Sequence, residues 1–242
     1  EVAFAEIPAG RQGPSEHATA ERAVTDHPDA ELTEHPQQLR LRIAAEQRVL
    51  VLASGNGVHG VCPPYRRRCR LGDAEELEFH DGSFDVVTST FGVMFVTRPE
   101  DAARELARVC RKGGRLGLCT WAPGGTIEAW FQVMRPYMPP PPANPPPSPF
   151  EWGKPERLRE LLGGTFDLEF EEGVTTLQMP NGKAVWDLFV EGYGPTRTTA
   201  AGCNPESRAG LERDFIAYME KFLGEAGIAM AREYLVTIGK RN

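Results

Sequence analysis

The chain has 242 residues, 40% hydrophobic and 25% charged, with a formal net charge of −7. That length and composition suit one sizeable soluble α/β domain with room for an appended subdomain. The acidic balance argues against nucleic acid as the main partner, because phosphate binding needs a cationic surface. No run of about 18 apolar residues occurs, so no membrane insertion is expected, and residues 1–10 lack the basic start and apolar core of a signal peptide. The cysteines Cys62, Cys69, Cys110, Cys119 and Cys203 are scattered without a C-x-x-C pair. Reduced thiols in a cytoplasmic protein, and no zinc, are the expectation.

Residues 1–47 are polar and rich in Glu, His, Ala and Pro. They read as a helical or irregular segment, with helices at 15–26 and 37–46 and breaks at Pro28 and Pro36. A continuous apolar run at 48–53 suits a strand buried on both faces, as in a parallel sheet. A second buried strand spans Phe84–Thr90, after the turn signal Asp81-Gly-Ser83. A helix follows at 99–110, with Leu106 and Val109 on one face and Glu100, Arg104 and Arg108 on the other. The Lys112-Gly-Gly114 step is expected to cap that helix, and 115–121 to form the next strand. Strand, helix, turn, strand predicts a parallel βαβ unit.

Residues 137–150 are dominated by proline and read as a stiff, extended loop. The remainder, 151–242, predicts a helix at Pro155–Leu162, a strand pair at 166–172 and 174–179, helices at 183–192 and 206–223, and a last strand at 232–239.

Local features converge on a cofactor. The strand Val49-Leu-Val-Leu-Ala-Ser-Gly-Asn-Gly57 ends in G-x-G, where glycine lets a ligand approach the backbone. Gly60 completes the dinucleotide spacing G-x-G-x-x-G, but Pro63 and Pro64 spoil the helix that a dinucleotide oxidoreductase needs there. Farther on come Gly72-Asp-Ala-Glu-Glu-Leu77, Asp81-Gly-Ser-Phe-Asp-Val-Val87, Phe91-Gly-Val-Met94 and Arg108-Val-Cys-Arg-Lys-Gly-Gly114. In this order and spacing the segments resemble the type 11 group of class I S-adenosylmethionine-dependent methyltransferases, the relatives of the ubiquinone and menaquinone methyltransferases. The resemblance covers 48–57 and 71–121, and more loosely the tail with Trp152, Trp186 and Tyr193-Gly-Pro195.

The resemblance implies a Rossmann-like, mostly parallel α/β sheet over 48–242 and methyl transfer from S-adenosylmethionine to a small-molecule acceptor. Ala53, Ser54, Gly55 and Gly57 match the glycine-rich loop beside the methionine and ribose of the cofactor. Asp73 matches the acid that accepts the adenine amino group, Ala74 its neighbouring backbone N–H, and Thr90 a residue near the sulfonium. Trp121, the proline loop and the 183–223 helices would line the acceptor pocket. No general base is identified; His59 stands near the loop. The run Arg66-Arg-Arg-Cys-Arg70 reads as a solvated basic stretch, the histidines as surface residues, and the four tryptophans, Trp121, Trp130, Trp152 and Trp186, as core or pocket wall.

The sequence departs from that group in two places. Val51 stands where the group carries an acid. Between Gly57 and Gly72 lie only residues 58–71, too few for the second strand and the helices that the plan places there, since a βαβ unit takes about 30 residues. The first half of the sheet is therefore expected to be abbreviated and to lack the ribose-binding acid. A degenerate protein of this kind, acting as a binding module without activity, is the competing reading. The sequence does not address the oligomeric state.

Overall fold

Among the described residues, eight strands form one mixed sheet with helices packed on it. A computed structural model describes residues 2–7, 49–54 and 69–242; the expected helices at 15–26 and 37–46 lie outside them. The strands are β1 (Val2–Ile7), β2 (Val49–Ser54), β3 (Cys69–Gly72), β4 (Phe84–Thr90), β5 (Cys110–Trp121), β6 (Phe166–Met179), β7 (Leu223–Gly224) and β8 (Gly227–Arg241). The helices are α1 (Pro99–Val109), α2 (Thr126–Met134), α3 (Pro155–Leu162), α4 (Gly182–Gly192), α5 (Gly194–Gly202) and α6 (Pro205–Met219). Across the sheet the order is β3-β1-β2-β4-β5-β8-β6, with β7 on β8.

The central strands behave as their apolar runs dictate. Leu50 and Leu52 of β2 are fully buried, as are Val86 and Val87 of β4. The expected parallel pairing holds for β2 with β4 and for β4 with β5. Around this centre the sheet is mixed rather than mostly parallel: β1 runs antiparallel to β2 and β3, and β8 runs antiparallel to β5 and β6. Short local patterns do not encode these long-range directions.

β1 changes the picture of the first half. It sits between β2 and β3, where the second strand of the family plan would be, and pairs with both. The place expected to be missing from an abbreviated sheet is filled by Val2–Ile7, running in the opposite direction.

Helix α1 opens on Pro99, with Glu100 and Asp101 in its first turn, an arrangement that suits the orphan N–H groups and the helix dipole. It buries Ala102, Ala103, Leu106 and Val109 against the sheet. The Gly113–Gly114 pair does not cap it. The chain enters β5 at Cys110, and the glycines form an irregularity where the register jumps from Phe84 opposite Cys110 to Val86 opposite Arg115. Gly113 takes φ 71°, and a Cβ on Gly114 would stand 2.8 Å from the Arg111 carbonyl oxygen and 2.9 Å from that of Asp85.

The expected strand pair at 166–179 is one continuous strand, β6. Gly173 does not break it: it faces Tyr234 of β8, whose ring fills the space a side chain would need. Helix α5, which begins at Gly194-Pro195 and continues through a Thr-rich stretch, falls between the two helices expected from the sequence. The proline stretch is extended and exposed over 139–148, and Phe150 and Trp152 in the following turn are buried and anchor it. Trp130 of α2 packs edge-on against Phe189 of α4 and Phe215 of α6, with ring centroids 5.0 and 5.6 Å away.

Candidate active site

Ser54 and Gly72 both pair with Val2, from opposite sides of β1. The carboxyl ends of β2 and β3 therefore open on one sheet edge, two strand spacings or about 10 Å apart. β4 runs parallel to β2, with Leu52 opposite Ser89, so Thr90 reaches the same edge. Ala53, Ser54, Asp73, Ala74 and Thr90 are thus brought to one side of the sheet, the side where open α/β sheets bind ligands. Gly55, Gly57, Gly60 and His59 lie outside the described residues, as does most of the basic run at 66–70.

Asp73 is exposed, and its Oδ1 accepts the Glu75 N–H at 2.9 Å. Its Oδ2 has no hydrogen bond among the described residues. The Glu76 N–H closes the turn on the Asp73 carbonyl at 3.2 Å, and Ala74 is buried beneath it. Thr90 is exposed at the end of β4. β1 presents its amino-terminal end on this side of the sheet, between the carboxyl ends of β2 and β3.

The turn carrying Asp73 is held by Glu75 and by Glu105 and Arg108 of α1. Glu75 is buried, and its Oε1 accepts the Thr97 N–H at 2.5 Å, the Thr97 hydroxyl at 2.8 Å and the Arg98 N–H at 2.8 Å. Its Oε2 accepts Arg98 Nε at 2.7 Å. Burial alone would raise this carboxyl, but the hydrogen bonds from Arg98 and Thr97 hold it below the usual carboxylate range. Glu105 of α1 accepts the Leu77 N–H at 2.7 Å, while Arg108 donates to the Leu77 and Phe79 carbonyls at 2.8 and 2.6 Å. The i, i+3 spacing of Glu105 and Arg108 on a helix was the available sequence signal; their grip on a distant loop had none.

The end of β4 is strained. Phe91 adopts φ 56°, in the left-handed region that a bulky side chain rarely enters. Its ring stacks on Trp121 at the end of β5, with centroids 3.8 Å apart and planes 15° apart. Ser89 Oγ accepts the Val93 N–H at 2.9 Å and fixes the turn that follows. Cys119, opposite Thr90 on β5, does not offer a thiolate, because burial pushes its thiol up to about 12. Among the described residues no cluster of three or more His, Cys, Asp or Glu side chains is placed to hold a metal ion, and no helix is long and apolar enough to cross a membrane.

Comparison with known proteins bears on the same stretch. An uncharacterized protein of Mycobacterium tuberculosis is 35% identical over 173 residues, which are 70% of this chain and 62% of that protein. A second uncharacterized Mycobacterium tuberculosis protein is 32% identical over 178 residues, 71% of this chain and 63% of that one. The chain thus spans less than two thirds of the length of these curated relatives. The demethylmenaquinone methyltransferase of Mycobacterium marinum is 41% identical over 81 residues, 33% of this chain and 32% of the enzyme. Among solved structures, a putative methyltransferase of Bacillus halodurans superposes with a TM-score of 0.43 at 20% identity, covering 70% of this chain and 69% of its own. Residues 48–118, the segment carrying β2, Asp73, Thr90 and the start of β5, match the family described as a methyltransferase domain.

Proposed function

We propose that the chain transfers a methyl group from S-adenosylmethionine to a small-molecule acceptor. The observation that carries this reading is the shared edge: Ser54 and Thr90 end β2 and β4, and Asp73 follows the end of β3, all on the same side of the sheet. Asp73 would hold the adenine amino group through its outward oxygen, Ala74 would lie against the ring, and Thr90 would face the sulfonium. The backbone after Ser54, with Gly55 and Gly57, would take the methionine and ribose.

When bound, S-adenosylmethionine supplies an electrophilic methyl carbon. A lone pair of the acceptor forms the new bond to that carbon as the carbon–sulfur bond breaks, and the sulfur leaves as a neutral thioether. The protein's part is to align the two and exclude water. A base is needed only if the acceptor must lose a proton. Residues 48–242 would act as one methyltransferase-like unit, without nucleic acid or membrane insertion, in the cytoplasm.

A second reading has its own observation. β1 fills the place of the second strand in the reverse direction, in keeping with a shortened interval at 58–71. Loss of the charge-assisted bond to the ribose hydroxyls would cost about 1.5–3 kcal/mol, or one to two orders of magnitude in affinity. A chain so weakened would be a binding module without activity. Isothermal titration with S-adenosylhomocysteine separates the two. Micromolar binding, weakened tenfold or more by Asp73→Ala and less by Asp73→Asn, supports the enzyme. Folded protein that gives no heat at millimolar ligand rejects it.

A further inference from the structure

Beyond Phe91 and Trp121 the structure holds polar atoms that are shielded from water and lack partners. Arg232 Nε and Trp130 Nε1 are buried with no hydrogen bond among the described residues, and the Tyr193 hydroxyl, buried beside them, has only a weak contact with the Trp121 side chain. Buried polar groups are normally paired, and leaving a charged one without a partner costs more than leaving a neutral one. These atoms belong to one neighbourhood. The Arg232 guanidinium lies 5.7 Å from the Trp121 ring centroid, on the sheet face that Trp121 shares. The Tyr193 ring is 5.0 Å from that of Trp130 and 5.2 Å from that of Phe189.

Arg232 has no acidic partner among the described residues. Glu233, the next residue, turns to the other face, where its Oε2 accepts the Thr126 N–H at 3.1 Å. Tyr234 and Cys119 share the Arg232 face, and both are neutral, since burial raises the Tyr234 phenol and pushes the Cys119 thiol to about 12; Glu171, opposite Val236 on the same face, acts on Tyr234 and makes no ion pair with Arg232. The Tyr193 phenol is held above its usual range by burial, against the pull of the Arg232 charge. Desolvation likewise lowers Arg232 itself. A guanidinium in such a place gains most from an anion that takes two of its N–H groups in the plane of the fork.

We propose that this neighbourhood is the recognition end of the acceptor site and takes a planar aromatic carboxylate. The carboxylate would pair with Arg232 and accept the Tyr193 hydroxyl, and the ring would lie along the Phe91–Trp121 stack. The inference rests on the methyltransferase reading for its role, but not for its chemistry. Thr90 and Cys119 are neighbours across β4 and β5, so the anion anchor stands on the β5–β8 side while the methyl donor would lie along β2, β3 and β4.

The test is isothermal titration of the full chain with naphthalene-2-carboxylate and its uncharged analogue naphthalene-2-carboxamide, each with and without S-adenosylhomocysteine. The expected result is at least tenfold tighter binding of the carboxylate. Arg232→Met should abolish that preference, Arg232→Lys should keep part of it, and Tyr193→Phe should weaken carboxylate binding several-fold. None of these should alter binding of S-adenosylhomocysteine alone. Equal affinity for acid and amide in the unaltered chain overturns the proposal without recourse to any variant, and so does a preference that survives Arg232→Met. Carboxylate preference without S-adenosylhomocysteine binding would leave the anion site standing and remove the methyltransferase reading. S-adenosylhomocysteine binding with no carboxylate preference would do the reverse.

Discussion

Glu105 and Arg108 meet one turn apart on α1 in a two-pronged ion pair, with Arg108 Nε 2.8 Å from Glu105 Oε1 and Nη2 2.7 Å from Oε2. The pair reaches beyond its helix, because Glu105 also holds the Leu77 N–H and Arg108 the carbonyls of Leu77 and Phe79. Together with Glu75 at the helix start, it fastens the connection between β3 and β4 at several points. Asp73 begins that connection, so the candidate adenine contact depends on packing made by α1.

The same acids set the response to pH. The ionic hydrogen bond from Arg108, working against burial, lowers the Glu105 carboxyl, and Glu75 is lowered as well. A carboxyl depressed in the folded state stabilises the fold above its unfolded value, about 4.3 for Glu. That contribution is lost as pH falls through the folded value. The urea midpoint should therefore hold from pH 7 to about 5 and drop below about pH 4.3. Glu105→Gln should cost about 2 kcal/mol at pH 7, between the limits for surface and buried pairs, and flatten the acid limb. An unchanged acid limb in that variant would remove Glu105 from the account.

Phe91 poses a test of strain against stacking. Its φ of 56° disfavours any residue with a Cβ, while its stack on Trp121 contributes about 0.5–1.5 kcal/mol. Phe91→Ala loses the stack and keeps the strain; Phe91→Gly loses the stack and releases the strain. Thermal melts should rank glycine above alanine by about 1 kcal/mol. The opposite order would mean that the left-handed conformation at this position costs nothing.

Much of this architecture was legible, for reasons that lie in particular residues. The apolar runs of β2 and β4, and the proline-led helices α1 and α3, carry their signals within a few residues. Gly113 and Gly173 read as punctuation, yet one serves a register jump and the other makes room for Tyr234. That reason lies in another strand. Helix α5 has no clear apolar stripe over Gly194–Gly202. β1 pairs with strands far along the sequence, and a direction set at such distance leaves no local trace. In the site, Asp73 and Thr90 could be placed by motif. The roles of Glu75, Arg108 and Arg232 depend on which groups surround them in space.

Gly173 and Tyr234 should behave as a coupled pair. A methyl group at position 173 would collide with the Tyr234 ring, and overpacking of this kind costs about 1–3 kcal/mol. Gly173→Ala should therefore lower stability by that amount, and Tyr234→Ala alone by its lost burial. The double variant should be more stable than the sum of the two predicts, since the ring that collides is gone. Strict additivity in a double-mutant cycle would show that the ring moves aside freely and that glycine is not required there.

β1 offers the sharpest check on the first half of the sheet. Ala5 pairs with Val51 on one side and Cys69 on the other, so this strand is interior, and proline at such a position removes a ladder hydrogen bond and clashes with its neighbours. Ala5→Pro should cost about 3 kcal/mol and speed amide hydrogen exchange across 49–54, with the helices over β8 less affected. Because Ser54 and Gly72 meet through Val2, the variant should also weaken S-adenosylhomocysteine binding more than its loss of stability explains. Exchange in β2 that matches the unaltered chain would mean that β1 does not cover that edge, and the place of the second strand would then have to be filled by residues between Gly57 and Gly72.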